Sequence, residues 1–225
     1  MDVSIAKKYI RQHIELFGDE IYTPIDYVDG SFFKKFNNVV STHETIDRFK
    51  TSIENCEKCN LSLTRNKFVF GSGDPDADLL LVGEGPGKEE DSKGEPFVGR
   101  AGKLLDRILK AIGYNRNDNI FITNIVKCRP PENRNPLPSE VEKCTPHLIH
   151  QIDLIQPKLI VALGKVAGQT LLKENMIIKE MRKKIHRYNN IPLIVTYHPA
   201  ALLRNPSLKI DVWEDFQYIA NFMKS

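Results

Sequence analysis

The sequence predicts an α/β protein: a three-layer αβα sandwich around a central, mainly parallel, four-stranded sheet, preceded by an N-terminal helical extension. Three observations predict it. Apolar runs of strand length recur from residue 78 onward, and segments of helical periodicity separate them; strands joined by helical crossovers pair in parallel and are covered on both faces. The composition of the 225 residues, 41% hydrophobic and 27% charged, is globular and leaves enough chain for a full core, which excludes disorder, collagen and coiled coil.

Residues 1–50 read as the extension and 51–225 as the sheet-bearing domain. Within the extension, Val3, Ile5, Tyr9, Ile10, Ile14 and Leu16 mark a helical stripe, and an irregular stretch with Gly18, Pro24 and Gly30 follows. Ser41 with Glu44 makes a capping box for a second helix. From Cys56 the pattern changes. Strands are expected at 78–82, 119–126, 158–163 and Ile191–Thr196, and helices at 100–112, 139–155 and 165–173. Ser139 and Glu142 repeat the capping-box signal after Pro138. Ligands of such sheets lie beyond the carboxyl ends of the strands, so the informative loops are those after Val82, Val126, Leu163 and Thr196.

The longest apolar runs, such as 79–82 and Leu159–Leu163, are far too short to span a bilayer. The start, Met1-Asp2-Val3-Ser4-Ile5, has no basic segment leading into an apolar stretch, so a cytoplasmic location is expected. A net charge of +3 does not announce a nucleic-acid binder, but residues 173–187 carry six Lys/Arg against two Glu. A solvated helix face is the plainer reading of that stretch, and a phosphate-facing edge the sharper one. The four cysteines, Cys56, Cys59, Cys128 and Cys144, form a C-x2-C pair followed by two distant partners. Without an export signal they argue against disulfides. They hold an iron–sulfur cluster or a structural zinc, or are unrelated buried residues; spacing does not separate the first two, and composition favours zinc. An all-cysteine site needs neither His147 nor His150, which read as surface or capping residues.

The loop after Val82 runs Gly83-Glu84-Gly85-Pro86-Gly87-Lys88-Glu89-Glu90-Asp91. Its glycines let backbone approach a ligand, and its four carboxylates suit a base, a water-positioning group or a cation stabiliser rather than a phosphate loop. A structural turn is the alternative. Phe97 stands in a loop between Gly94 and Gly99, either as a plug on the core or as a platform for a flat ligand. Asn124 replaces an expected apolar residue at a strand end, where its amide satisfies a turn or reads a ligand with one donor and one acceptor. His198 ends the fourth strand before Pro199, with Leu202, Leu203 and Arg204 close behind.

Together these residues are specific. Gly83 to Asp91, the stretch from Gly94 through Phe97 to Gly102, Thr123-Asn124-x-x-Lys127-Cys128-Arg129-Pro130-Pro131, and His198-Pro199-Ala200-Ala201-Leu202-Leu203-Arg204 occur in this order with the cysteines interleaved. Over residues 50–225 the sequence resembles the family 4 uracil-DNA glycosylases, the iron–sulfur branch of that superfamily. The resemblance implies a [4Fe-4S] cluster on Cys56, Cys59, Cys128 and Cys144, displacing zinc. It further implies that uracil is flipped from DNA, single- or double-stranded, and its N-glycosidic bond hydrolysed without a lyase step, by a monomer with no membrane partner. Glu84 would position water and stabilise the cationic sugar, and His198 would contact uracil O2. Gly83, Gly85 and Pro86 would line the pocket, Phe97 would stack, Asn124 would pair with the base edge, and Glu90 would exclude a 5-methyl group. Leu202, Leu203 and Arg204 would fill the gap left in the DNA. The stretch between Cys128 and Cys144 lacks the basic, His-containing insertion of relatives that stay attached to DNA, so turnover is implied. Two other classes explain part of the pattern: a non-catalytic DNA-binding module with a four-cysteine metal site, and a metal-dependent nuclease using Glu84, Glu89, Glu90 and Asp91.

Overall fold

The computed structural model describes residues 45–224, so the stripe expected at 3–16 and the capping box at Ser41 lie outside the described residues. The chain enters through helix α1 (Ile46–Ile53), which straddles the expected division after residue 50. Its Ile46 and Phe49 are buried in the core, so among the described residues the packing with the sheet includes positions before residue 51.

The four predicted strands form the parallel centre of the sheet. They are β2 (Leu79–Gly83), β3 (Ile120–Asn124), β4 (Leu159–Leu163) and β6 (Ile191–Thr196), and two short antiparallel strands, β1 (Ser72–Gly73) and β5 (His186–Tyr188), extend it. The order is β1-β3-β2-β4-β6-β5. The two edges have too few residues to show an alternating pattern, which is why the sequence does not announce them. Strand β3 starts one residue later than expected because Asn119 has a φ of 56°, outside the extended region. It ends at Asn124, after which the Ile125 and Val126 amides donate to the Gly83 and Glu84 carbonyls, in the loop leaving β2.

Alternation along the strands feeds two cores. Leu80, Val82, Phe121, Ile160, Ala162, Leu193 and Val195 face one layer, with α1, α4 (Pro138–Ile155) and α5 (Lys165–Leu172). Leu79, Leu81, Ile120, Ile122, Leu159, Val161, Leu163 and Ile194 face the other, with α3 (Arg100–Ala111), α7 (Pro199–Arg204) and α8 (Leu208–Phe222). Two short helices, α2 (Lys88–Lys93) and α6 (Ile178–Met181), complete the set among the described residues. The three-layer α/β sandwich is as expected.

The start of α4 differs from the predicted capping box. Pro138 takes the first helical position, where its missing N–H costs nothing, and this moves the cap to Leu137. Glu140, not Glu142, then accepts from the Leu137 amide at 2.7 Å, and it also holds Arg134 through two bonds of 2.6 and 2.8 Å.

The basic stretch at 173–187 is partly structural. Arg182 is buried and donates from Nε to Asp215 at 2.8 Å, while Thr196 Oγ1 donates to the same carboxylate at 2.6 Å. Its guanidinium also lies over the Tyr197 ring. Lys183 pairs on the surface with Glu214 at 3.1 Å. Removing Asp215 leaves the buried Arg182 with only the partly exposed Asp211, 3.3 Å away, so Asp215→Ala is expected to cost about 3 kcal/mol in urea unfolding. Glu214→Ala, at the exposed pair, is expected to cost less than about 1 kcal/mol; equal losses for the two would remove Arg182–Asp215 from the core's essential contacts.

Candidate active site

The loops after β2, β3 and β6 converge on a cavity of about 390 Å³. Glu84, Gly85, Pro86, Glu90, Phe97, Asn124, His198 and Arg204 all line it. Gly83 lies at its base, paired with Asn124 in the β2–β3 ladder. A Cβ at Gly83 would collide with Asn124 Oδ1 and come within 2.6 Å of the Phe97 ring, so glycine is required there by space and not by φ.

Asn124 is 1% exposed, and its Oδ1 has no hydrogen-bond partner. A buried acceptor left alone costs about 1–3 kcal/mol, and this one borders the cavity. Phe97 is buried with φ at 54°, an uncommon conformation for an aromatic residue. It is clamped on both sides. Arg116 donates to the Pro96 and Phe97 carbonyls at 3.0 and 2.7 Å and is itself oriented by Asp106 at 2.8 Å. Glu90 accepts from the Val98 and Gly99 amides at 3.0 and 2.9 Å. Gly102 lets α3 press against the Phe97 carbonyl, where any Cβ would clash.

His198 caps α7: its Nδ1 accepts from the Ala200 amide at 3.1 Å, which leaves the proton of the neutral ring on Nε2. Burial, reinforced by the Arg204 charge, pulls its pKa down to about 4, against the opposing pull of Glu90. The ring stands 5.4 Å from that of Phe97, centroid to centroid. Gly164, with φ at 100°, passes beneath it, and a Cβ there would reach 2.9 Å from the His198 Cβ. Burial raises the Glu84 carboxyl above 4.5.

The other acids do not gather. Asp91 is buried and accepts from the Asn66 backbone at 2.9 Å and its side chain at 2.6 Å, whereas Glu90 serves the Phe97 loop. Leu202 is a correction to the expected wedge. It is 2% exposed and packs into the core of α3 and α8, because it lies on the inward face of the short helix α7. Leu203 is exposed beside it, and Arg204 lines the cavity.

Cys128 and Cys144 are buried on the α1–α4 face, and Cys56 and Cys59 are partly exposed. Arg65 donates to Cys128 Sγ at 3.2 Å, and the Lys127 amide to Cys144 Sγ at 3.4 Å. His147 is buried with Nε2 3.3 Å from Cys56 Sγ, so it belongs to the cysteine site and not to the surface. Cys128 acts electrostatically with Cys59 and Cys144, and Cys144 with Cys56 and Cys59. Burial pushes the Cys128 thiol up to about 11 and raises that of Cys144. Among the described residues, no three His, Cys, Asp or Glu side chains close round a single ion.

The family model for the uracil DNA glycosylase superfamily matches residues 70–217. The type-4 uracil-DNA glycosylase of Archaeoglobus fulgidus is 42% identical over 184 residues, covering 78% of this chain and 92% of that protein. That of Sulfurisphaera tokodaii is 44% identical over 184 residues, 78% of this chain and 84% of its own. For the Thermotoga maritima protein the figures are 42% over 185 residues, 80% and 96%. The chain belongs to the type-4 uracil-DNA glycosylase family.

Four residues of this type-4 site escaped the sequence reading: Arg116, Lys127, His147 and Gly164. Arg116 reaches back 19 positions from a polar turn, and no local pattern marks it. Lys127 is fully buried, pulled down to about 7 by burial while the Cys144 and Cys128 sulfurs pull it back up; its place between Asn124 and Cys128 was the available signal. His198 supplies a test. Nitrogen-15 NMR of the free protein should show the Nε2–H tautomer persisting on acidification to about 4, well below the ordinary histidine value of 6.5. The unfolded chain then binds the extra proton first, so His198's contribution to stability should be full above 6.5 and fall as pH drops toward 4. A His198 midpoint near 6.5 would contradict the half-buried, neutral imidazole.

Proposed function

We propose that this type-4 uracil-DNA glycosylase flips uracil out of DNA, single- or double-stranded, hydrolyses the N-glycosidic bond, and leaves an abasic site without a lyase step. The observation that carries the reading is the set of polar groups in one cavity: the unpartnered Asn124 Oδ1, the neutral His198 with its proton on Nε2, and the Glu84 carboxyl. Uracil's edge offers an N–H at position 3 and a carbonyl at position 4, and an asparagine amide matches both. The bond from N1 to the sugar breaks with its electron pair leaving on the base. Charge grows on O2, where His198 Nε2–H donates from a fixed position. Glu84 stabilises the cationic sugar and orients the water whose oxygen joins C1′ as its proton passes to the departing uracil anion, which leaves as free uracil. Phe97 stacks on the flipped ring, Gly83 to Pro86 line it with backbone, and Glu90 crowds a 5-methyl group. Leu203 and Arg204 enter the gap in the DNA, which repays part of an unstacking cost of about a few kcal/mol.

The four cysteines hold a [4Fe-4S] cluster in this reading. What supports it is a donor set of four free cysteines, a C-x2-C turn and two buried partners, which is the ligand set of such a cluster. When bound, the cluster supplies a rigid tie between the Cys56–Cys59 turn and the loop and helix carrying Cys128 and Cys144; the hydrolysis needs no electron. We place the enzyme in the cytoplasm as a monomer, with the residues before Ile46 as an extension outside the catalytic domain.

A single-uracil oligonucleotide incubated with protein and EDTA should yield free uracil and a strand cut only after alkali. A metal-dependent cut without alkali would favour a nuclease, and no product in either condition a binding module. Asn124→Asp should lose most uracil activity in single-turnover assays, since a carboxylate repels O4, and should gain weak cytosine removal at lower pH, where a protonated carboxyl donates to N3. Equal uracil rates for wild type, Asn124→Asp and Asn124→Ala would sink this account of base choice. Arg116→Ala, which frees Phe97, should slow the chemical step by up to about a hundredfold while duplex binding holds.

A further inference from the structure

One wall of the cavity takes no part in reading the base. It is formed by Asn133, Arg134 and Asn135, from the loop that joins β3 to α4. Glu132 and Asn133 both hold φ at 56°, a conformation that residues with a side chain keep only where the surroundings enforce it. The Asn133 amide donates to the Pro130 carbonyl and the Arg134 amide to that of Pro131, each at 3.1 Å. Arg129 Nε donates to Asn133 Oδ1 at 2.8 Å. Arg134 is then fixed end-on. Its Nη1 and Nη2 donate to the two oxygens of Glu140 at 2.8 and 2.6 Å, and Nη1 also reaches the Asn135 carbonyl at 3.0 Å. Glu140 is itself buried and held by the Leu137 amide at 2.7 Å. These bonds use three of the five guanidinium protons. The Nε proton and the second Nη2 proton have no partner among the described residues. They lie side by side on one edge of the guanidinium plane, and the side chain is 38% exposed.

We propose that Arg134 is a DNA-binding residue: its free edge takes a phosphate next to the flipped deoxyuridine through two parallel hydrogen bonds. The inference rests on the reading of this cavity as the uracil pocket. In that reading Asn124 and His198 use N3, O4 and O2 of the base, so the flipped nucleotide meets this wall with its sugar and its anionic phosphates. A phosphate offers two oxygens that match the edge of a guanidinium, and an arginine whose other end is anchored loses little freedom on meeting them. Glu140 has a second effect. Its carboxylate offsets the guanidinium charge, which weakens the attraction of Arg134 for DNA at a distance and leaves the directional contact. The contact is therefore gained when the nucleotide has flipped, and it favours the flipped state over duplex in general. Arg204 lines the same cavity from α7, so the strand is held from two separate elements.

The test combines Arg134→Lys with DNA in which single phosphates are made neutral. Arg134→Lys keeps a charge pair with Glu140 but cannot offer two parallel donors. Its single-turnover rate of uracil release should fall about ten- to hundredfold. Inhibition by free uracil, which carries no phosphate, should stay at the wild-type value, and this separates the contact from damage to the base pocket. Oligonucleotides with one methylphosphonate, at the linkage 5′ or 3′ to the deoxyuridine, locate the contact. Wild type should lose rate at one of these linkages, and Arg134→Lys should lose much less at the same one. A wild-type rate in Arg134→Lys would overturn the inference. So would weaker inhibition by free uracil in step with the rate, or losses that multiply at both linkages. Should that variant fail to fold, Arg134→Gln combined with Glu140→Gln removes both charges together, and the same outcomes on the same oligonucleotides decide. Failure of wild type to release uracil from the unmodified oligonucleotide would instead overturn the functional reading.

Discussion

Where β2 and β3 end, the parallel ladder sets Gly83 beside Asn124, and the absent side chain at 83 leaves a space bounded by the Asn124 amide and the Phe97 ring. Everything in the cavity is arranged about that pair. Its direction follows from the core: alternation sends Leu79 and Leu81 to one face, Leu80 and Val82 to the other. A slip of β3 by one residue would exchange its faces and turn Asn124 away from the Phe97 side. Burial of the sheet on both sides therefore specifies the register that the site needs. Parallel pairing adds the rest, since strands β2, β3, β4 and β6 all open their carboxyl ends toward the same side and bring Glu84, Asn124, Gly164 and His198 into one neighbourhood.

The site holds unfavourable features that the free protein does not resolve within itself. The Asn124 oxygen is buried without a donor, and Phe97 is kept in a left-handed conformation that costs about 1–3 kcal/mol. Neither would persist on a loop free to relax. Arg116 and Glu90 grip the backbone on either side of Phe97, and Asp106 grips Arg116, so the strain is carried by the helix α3 and its packing on the sheet. The ligand that satisfies the Asn124 oxygen and covers the Phe97 ring meets groups already in place, and loses little to their ordering.

What could be read from the sequence follows from what determines each feature. The central strands were legible because burial on both faces makes them continuous apolar runs, as in Leu79 to Val82 and Leu159 to Leu163. Gly83, Glu84, Asn124 and His198 were legible because polar or glycine residues interrupt such runs at their ends. Features decided by long-range geometry were not. Leu202 and Leu203 are adjacent and chemically identical, and only the packing of α7 sends one inward and leaves the other exposed. His147 looked dispensable beside four cysteines, since its contact with Cys56 spans 91 positions. The box at Ser139 and Glu142 satisfied a local rule as well as the true cap does, but Pro138 at the first helical position shifted the register by two residues, to Leu137 and Glu140.

The two groups assigned to the chemistry are tuned by one cause acting with opposite signs. Burial disfavours whichever form is charged, so it lowers His198 and raises Glu84. The imidazole, already pinned by the Ala200 amide on Nδ1, is driven to the single state in which it offers Nε2–H and carries no charge. A neutral donor gains most from a partner whose charge grows during the reaction, since it does not bind the uncharged base strongly beforehand. For Glu84 the same burial acts the other way, toward the neutral carboxyl. The Arg204 charge that disfavours an imidazolium also lies at the cavity wall, where DNA phosphates would neutralise it. The restraint on His198 thus rests chiefly on the low-dielectric enclosure of β6 and α7, the one contribution that bound DNA would strengthen instead of screening.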